Sequence, residues 1–418
     1  MKIKIQYLCL LLICLVAFAA CKTVVRVSTE NMAYSYKEDF SPFCKSAYII
    51  HRNDSISELV LHLMSDGFLY NKEQHSDTLI GNINVNTYLL NSLNDKQWID
   101  STNTNIQVKY DSTNAIKIFK LPLKIIFGKN YYMYVSVTDN NTNIKQSLLI
   151  DINKSNKYNA QWFEPSQNLL NIPSAYIINK DSQIFFEYNG DMPENLKCYF
   201  YKDSFAIPSP PYVLENITAQ KINADSVFCN LSAAENKFFS FTTFSRGIYF
   251  FSSDHGLTDG FTVLCTSAGF PNISSHEDMI KPIRYITARK EYENIAKSSN
   301  KTEAIESFWL KIGGHEDRAK NLIKKYYGRV TNANRLFSSY IQGWQTDRGM
   351  IFIIFGVPNF VYRSDESEIW IYGEENNFFS TTFTFKKVKN KFSDNDYILQ
   401  RNPTYKDNWF RAVDFWRQ

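Results

Sequence analysis

Two carboxylates and one arginine are the residues best placed to do chemistry in this chain. Asp347 and Arg348 lie in the run Gly343-Trp344-Gln345-Thr346-Asp347-Arg348-Gly349, and Glu368 follows in Glu368-Ile369-Trp370-Ile371-Tyr372. Carboxylates brought face to face suit hydrolysis, one as general acid and the other as general base. On that reading Trp344, Asp347, Arg348 and Glu368 floor a cleft that hydrolyses or binds a glycan, with Trp370 beside them. His315, Glu316 and Asp317 form a polar cluster that could join it. The same residue types also serve a turn. Gly343 can end a helix in a left-handed conformation, and Trp344 can bury its ring against a following sheet. Thr346 and Asp347 can accept bonds from nearby backbone N–H groups. Arg348 can pair with Asp347 or Glu368, and Gly349 can open a strand.

The usual catalytic signatures are missing from the sequence. There is no His-Glu-x-x-His for zinc, no Gly-x-Ser-x-Gly elbow, no phosphate loop and no Cys-x-x-Cys pair. Neither a cofactor nor a metal is expected. Asp254 to Gly260 offers metal-ligand residue types, but its composition is that of a surface turn. A formal charge of +4 over 418 residues is near neutral, which removes the electrostatic case for nucleic acid.

The elements that must position these residues read as three units. From 42 to 153, runs such as Ala47–Ile50, Leu59–Leu63, Ile106–Tyr110, Ile116–Leu121, Tyr131–Val137 and Leu148–Ile152 alternate or cluster as strands between polar turns, which predicts a β-sandwich. Residues 154–173 read as a linker. A second sandwich is expected over 174–270, with strands at Tyr176–Ile178, Ile184–Tyr188, Cys198–Tyr201, Phe238–Phe241, Tyr249–Phe251 and Phe261–Leu264. Pro208-Ser209-Pro210-Pro211 marks a loop or a sheet edge.

From 283 to 418 the period becomes mixed. Ile305, Phe308, Trp309 and Ile312 fall on one helical face, started by Asn300 with Glu303 and ended by Gly313-Gly314. A longer helix carries Ala319, Leu322, Tyr326, Val330, Ala333 and Phe337 on its stripe. Ile351–Phe355 reads as a strand, followed by Phe360–Tyr362, Glu368–Tyr372 and Phe379–Val388. Trp409, Val413 and Trp416 then share a helical face that docks on the sheet or on an adjacent domain. The fold class is therefore multidomain: two all-β, Ig-like sandwich modules followed by an α+β unit.

The first twenty residues read as a signal peptide, with Lys2 and Lys4 ahead of an apolar run too short to span a bilayer. Ala19-Ala20-Cys21 resembles a bacterial lipobox, an ordinary secretory signal being the other reading; the resemblance implies a lipidated Cys21, a tether over 21–41, and residence on the outer membrane, on its periplasmic face ahead of the cell surface. Cys198 and Cys229 sit in strand-like runs of one unit and could bridge in an oxidising compartment; single buried thiols are the other reading. The triplets Asp54-Ser55-Ile56, Asp77-Thr78-Leu79, Asp100-Ser101-Thr102, Asp111-Ser112-Thr113 and Asp225-Ser226-Val227 resemble a bacterial periplasmic O-glycosylation acceptor and are expected on exposed turns.

The heptapeptide at 343–349, Arg329-Val330, Ala333-Asn334, the run Ile351 to Pro358 and the Glu-x-Trp-x-Tyr strand at 368–372 together resemble the GWxTD-domain proteins of the bacterial envelope. No activity is established for that family. The resemblance implies an envelope lipoprotein whose modules bind another envelope protein or a secretion or assembly machine, without catalysis.

Overall fold

A computed structural model describes residues 26–37, 43–73, 78–111, 116–165, 170–172, 175–190, 196–203, 205–214, 224–231, 237–253 and 260–418. Residues 1–25, which include Cys21, and 254–259 of the glycine-rich segment lie outside them.

The first unit is a sandwich of two sheets. One is formed by β1 (Cys44–His51), β2 (Ile56–Met64) and β6 (Ile116–Lys124). The other comprises β3 (Asn71–Lys72), β4 (Leu79–Leu90), β5 (Asp100–Lys109), β7 (Asn130–Asp139) and β8 (Lys145–Asn153), with β4 paired to both β5 and β7. Ile49, Leu59, Leu61, Ile83, Val85, Val135 and Val137 fill the space between them. The central strand β4 is absent from the sequence reading. Its outward asparagines disfavour a strand by composition, although Ile83, Val85, Thr87 and Leu89 do alternate with Asn82, Asn84, Asn86 and Tyr88.

The second unit packs β9 (Phe163–Pro165), β12 (Gln183–Tyr188) and β15 (Phe238–Thr242) against β10 (Leu170–Ile172), β11 (Ala175–Asn179), β13 (Leu196–Lys202), β14 (Ser226–Leu231), β16 (Gly247–Ser252) and β17 (Phe261–Thr266). Its core is dominated by rings, among them Trp162, Phe163, Tyr176, Phe186, Phe251 and Phe261. Residues 154–173 are therefore no free linker. They supply β9 and β10 to the sheets of this unit and the fully buried Trp162 to its core. Backbone pairing sets Cys198 opposite Cys229 across β13 and β14; the Cys229 side chain lies outside the described residues.

The third unit begins with α1 (His276–Ile280), α2 (Arg289–Lys297), α3 (Lys301–Gly313) and α4 (Glu316–Phe337). The Asn300 side chain caps α3 as expected, accepting from the Glu303 N–H at 3.2 Å, and Gly314 ends it at φ 74°. Next come α5 (Asp347–Phe355), a four-stranded antiparallel sheet of β18 (Phe360–Arg363), β19 (Ser367–Tyr372), β20 (Thr381–Lys387) and β21 (Tyr397–Leu399), and finally α6 (Lys406–Arg417). Trp409, Val413 and Trp416 of α6 are buried as the helical spacing predicts.

One element differs in kind. Ile351–Phe355 is helical, not extended. Thr346 caps it, and Met350 to Ile354 are buried all round against α4 and the sheet. A short run that is apolar on every side has no period, so a strand and a buried helix cannot be told apart from it.

The expected tether is also structured where it is described. Residues 27–29 and 33–36 form short 3₁₀ turns. Val27 seats against Leu90, Leu93 and Tyr134 of the first sandwich, while Met32 and Ala33 join the core of the third unit. The Met32 N–H donates to the Val361 carbonyl at 2.8 Å along the edge of β18. Of the acceptor-like triplets, Asp54-Ser55 does lie in the β1–β2 turn, but Asp100-Ser101-Thr102 lies within β5. Among the described residues no helix is long and apolar enough to cross a membrane.

Candidate functional site

The heptapeptide is the junction between α4 and α5, and its glycines act by size. Gly343 does not adopt a positive φ and does not end α4, which stops at Phe337. Instead the backbone here lies directly on α4: a Cβ at Gly343 would meet the Ala333 carbonyl oxygen at 1.9 Å. Gly349 has the same constraint, since its Cβ would meet the Gly343 carbonyl oxygen at 1.9 Å. It lies in the first turn of α5 and opens no strand.

Ser338 and Asn334 lock the approach. The Ser338 hydroxyl accepts from the Gly343 N–H at 2.8 Å and donates to the Asn334 carbonyl at 2.6 Å. The Asn334 side chain accepts from the Trp344 N–H at 3.1 Å. The Thr346 hydroxyl donates to the Gly343 carbonyl at 2.8 Å and accepts from the Gly349 N–H at 3.0 Å, which is the N-cap bond the residue type suggests. The Trp344 ring packs against Tyr285 within the core of the third unit, and the Tyr285 hydroxyl donates to the Trp344 carbonyl at 2.7 Å. Burial, and then Asp347, hold that hydroxyl well above its ordinary pKa, so it remains a donor.

The charged side chains form two separate pairs. Arg348 bonds Glu368 at 3.1 Å and Asn395 at 2.6 Å, and its guanidinium lies 4.0 Å from the centroid of the Tyr397 ring. Glu368 also accepts from Trp370 Nε1 and from the Tyr36 hydroxyl, each at 2.5 Å. Burial and the Glu368 carboxylate push Tyr36 well above its ordinary pKa, which keeps its proton on the bond. Asp347 takes a two-pronged bond from Arg401, at 2.6 and 3.1 Å, and accepts the Leu399 N–H at 2.8 Å. Arg401 also reaches the Ser209 carbonyl, tying in the proline-rich loop of the second unit.

Asp347 and Glu368 are thus each neutralised by a different arginine and do not form an acid–base pair. The motif is also closed to solvent. Trp344 is 3% exposed, Arg348 4%, Asp347 8%, Glu368 1% and Trp370 0%. His315 is elsewhere: it caps the start of α4, while the motif contacts residues near that helix's far end. Eighteen residues of helix separate His315 from Ala333, about 27 Å of rise. Among the described residues no group of three or more His, Cys, Asp and Glu could hold a metal ion.

Two residues escaped the sequence reading. Arg401 carries no local signal, because its pairing with Asp347 spans 54 positions. Tyr36 sits in a stretch whose composition reads as tether.

The fold and this junction define a class: β-sandwich modules joined to an α+β domain organised around a buried signature whose charges are paired. Residues 247–418 match the family model for the GWxTD domain, so the chain is a GWxTD domain-containing protein. No curated protein matches the chain. Among solved structures, the major pilin subunit BcpA of Bacillus cereus aligns over 49% of this chain and 57% of its own, at 7% identity and a TM-score of 0.15. The chain thus spans little more than half of that pilin's length, and so low a score carries no argument about fold or role.

Proposed function

We propose that this chain is a lipid-anchored protein on the periplasmic face of the outer membrane, where its GWxTD domain serves as a non-catalytic interaction or assembly module, a secretion machine being one such assembly. The observation that carries this reading is the tip of the β19–β20 hairpin. Phe378 and Phe379 stand 94% and 90% exposed, side by side with ring centroids 5.9 Å apart. Their loop is held rigid: Ser380 donates to the Glu374 carbonyl at 2.7 Å, the Phe379 N–H to Asn377 at 2.9 Å, and the Gly373 N–H to Asn359 at 2.9 Å. Two phenylalanines kept in water by an ordered loop contribute nothing to folding and form an apolar patch that gains free energy when another surface covers it. Two adjacent aromatics make a suitable anchor for a protein partner.

The anchor reading rests on the sequence at Cys21 and fits the seating of the segment after it. Val27 is docked six residues beyond Cys21, so covalent reach would hold the first sandwich within about 20 Å of a lipid-bearing bilayer. Radiolabelled palmitate incorporation, lost in Cys21→Ala, tests the anchor. Crosslinking in intact cells followed by affinity purification tests the module. One dominant envelope partner is expected, lost when Phe378 and Phe379 are both changed to Ser; a clean monomer in both forms would refute the assignment.

A further inference from the structure

The outer face of the first sandwich carries a second feature, independent of the GWxTD domain and of the reading above. On β4 the outward residues are Asn82, Asn84, Asn86 and Tyr88; opposite them on β5 stand Gln107, Asn105, Asn103 and Ser101. None of the eight is charged. The amides are ordered as a ladder. Asn84 Nδ2 donates to Asn103 and Asn105 at 3.0 and 2.8 Å, Asn86 Nδ2 to Asn84 at 2.6 Å, and Asn103 Nδ2 to Asn86 at 2.6 Å. Each amide offers two donors and two acceptor lone pairs, so the ladder fixes its members while leaving outward capacity on the exposed Asn105 and Gln107.

An aromatic platform closes one end of the row. Trp98, 49% exposed, rests on Tyr88 with ring centroids 4.8 Å apart. Beyond it the same sheet face is already covered. Leu90 and Tyr134 lie under Val27, and Asp151 of β8 is held by Arg363 and Lys387 of the third unit at 2.6 and 2.7 Å. The amide row is the part of this face that stays open.

The geometry points to this row as a binding site for a neutral oligosaccharide, with Trp98 stacking on a sugar ring and the amides of Asn103, Asn105 and Gln107 bonding its hydroxyls. The chemistry selects that occupant. A sugar presents alternating hydroxyl donors and acceptors, which primary amides satisfy in both senses, and an apolar C–H face, which an exposed indole covers. Phosphate or carboxylate ligands would need cations among the contacting side chains; Asn103, Asn105 and Gln107 supply none, Lys109 being the next outward residue of β5 past the row. From Asn103 to Gln107 the strand advances about 13 Å, enough for several contiguous contacts with an extended chain. The plain alternative is that the ladder only guards an edge strand, since β5 has no neighbour on its outer side among the described residues.

The test is calorimetric titration of the full-length chain in detergent with neutral hexasaccharides (cello-, laminari-, chito-, manno- and maltohexaose), with an oligogalacturonate as the anionic control. At least one neutral hexasaccharide should bind and perturb tryptophan fluorescence. Trp98→Ala should weaken that binding roughly tenfold, as the loss of one aromatic contact predicts. The double variant Asn105→Ala, Gln107→Ala should weaken it comparably, with its melting temperature unchanged because both side chains are exposed. No binding by any neutral sugar, binding of the anionic control alone, or equal binding by Trp98→Ala would overturn the assignment. None of these outcomes bears on the hairpin partner or on lipidation.

Discussion

Replacing Asp347 with Asn separates an architectural signature from a binding one. The carboxylate is 8% exposed and meets Arg401 through two bonds, at 2.6 and 3.1 Å, and that guanidinium is itself only 7% exposed. The amide is nearly isosteric with the carboxylate it replaces, so Asp347→Asn leaves a buried arginine without its counter-charge. Stranding one member of a buried pair costs about 3–5 kcal/mol. In a unit of this size that lowers the melting temperature by roughly 10 °C. Removing the second charge as well, with Arg401→Met, should restore about 2 kcal/mol or more, because the double variant buries no unpaired ion. The assay is thermal and urea unfolding followed by tryptophan fluorescence, where Trp344 and Trp370 report on the junction. A melting temperature within about 2 °C of the parent, combined with loss of a ligand or a cellular phenotype, would refute the architectural account.

Three further outcomes follow from the same structure. Gly343→Ala should prevent the third unit from folding, since the added carbon would lie 1.9 Å from the Ala333 oxygen; soluble protein of parental stability would contradict it. His51 is fully buried at the junction of the sandwiches, between Ser57 at 2.9 Å and the Asn153 carbonyl at 3.1 Å, and burial, followed by the nearby Lys154 charge, pushes its pKa down to about 3. The folded state then binds fewer protons than the unfolded state between pH 3 and pH 6.5, so stability should fall through that window on acidification, by about 2 kcal/mol at pH 5. His51→Gln should flatten that slope in urea titrations taken at several pH values. Phe378→Ser with Phe379→Ser should leave melting unchanged while abolishing crosslinks to the envelope partner; retained crosslinks would exclude the hairpin as the anchor.

Local pattern made much of the fold legible. Alternation placed β1, β2 and β5 to β8, and helical spacing placed the Ile305–Trp309 face and the Trp409–Trp416 face, because each signal lies within a few residues. Three errors share one cause. The strand expected at Ile351–Phe355, the linker expected at 154–173 and the tether expected up to residue 41 each take their structure from distant contacts. α5 is buried on all sides, Trp162 is enclosed by another module, and Tyr36 reaches a carboxylate 332 positions away. Within the motif the Arg348–Glu368 pair was one of the two the sequence offered, whereas the Asp347–Arg401 pair was not legible, since Arg401 carries no mark of its tie to Asp347.

The Tyr36 contact also says how the parts depend on one another. Glu368 accepts three donors, one each from α5, its own strand and the N-terminal segment, while Tyr36 packs on Phe337 and Trp370 at 5.4 Å. The segment that follows Cys21 is therefore bound into the core that the signature builds. Asp365 extends the link by accepting from the Ser92 hydroxyl at 2.6 Å and the Leu93 N–H at 2.8 Å, which joins the β18–β19 turn to the first sandwich. A pull on the N-terminus would thus load the signature core and the sandwich face together. Tyr36→Phe keeps the packing and removes one donor from a buried carboxylate, which should cost about 1–3 kcal/mol. If that loss appears only in the third unit's unfolding transition, the segment is a passive strap; if the first sandwich loosens with it, the strap is what couples the two.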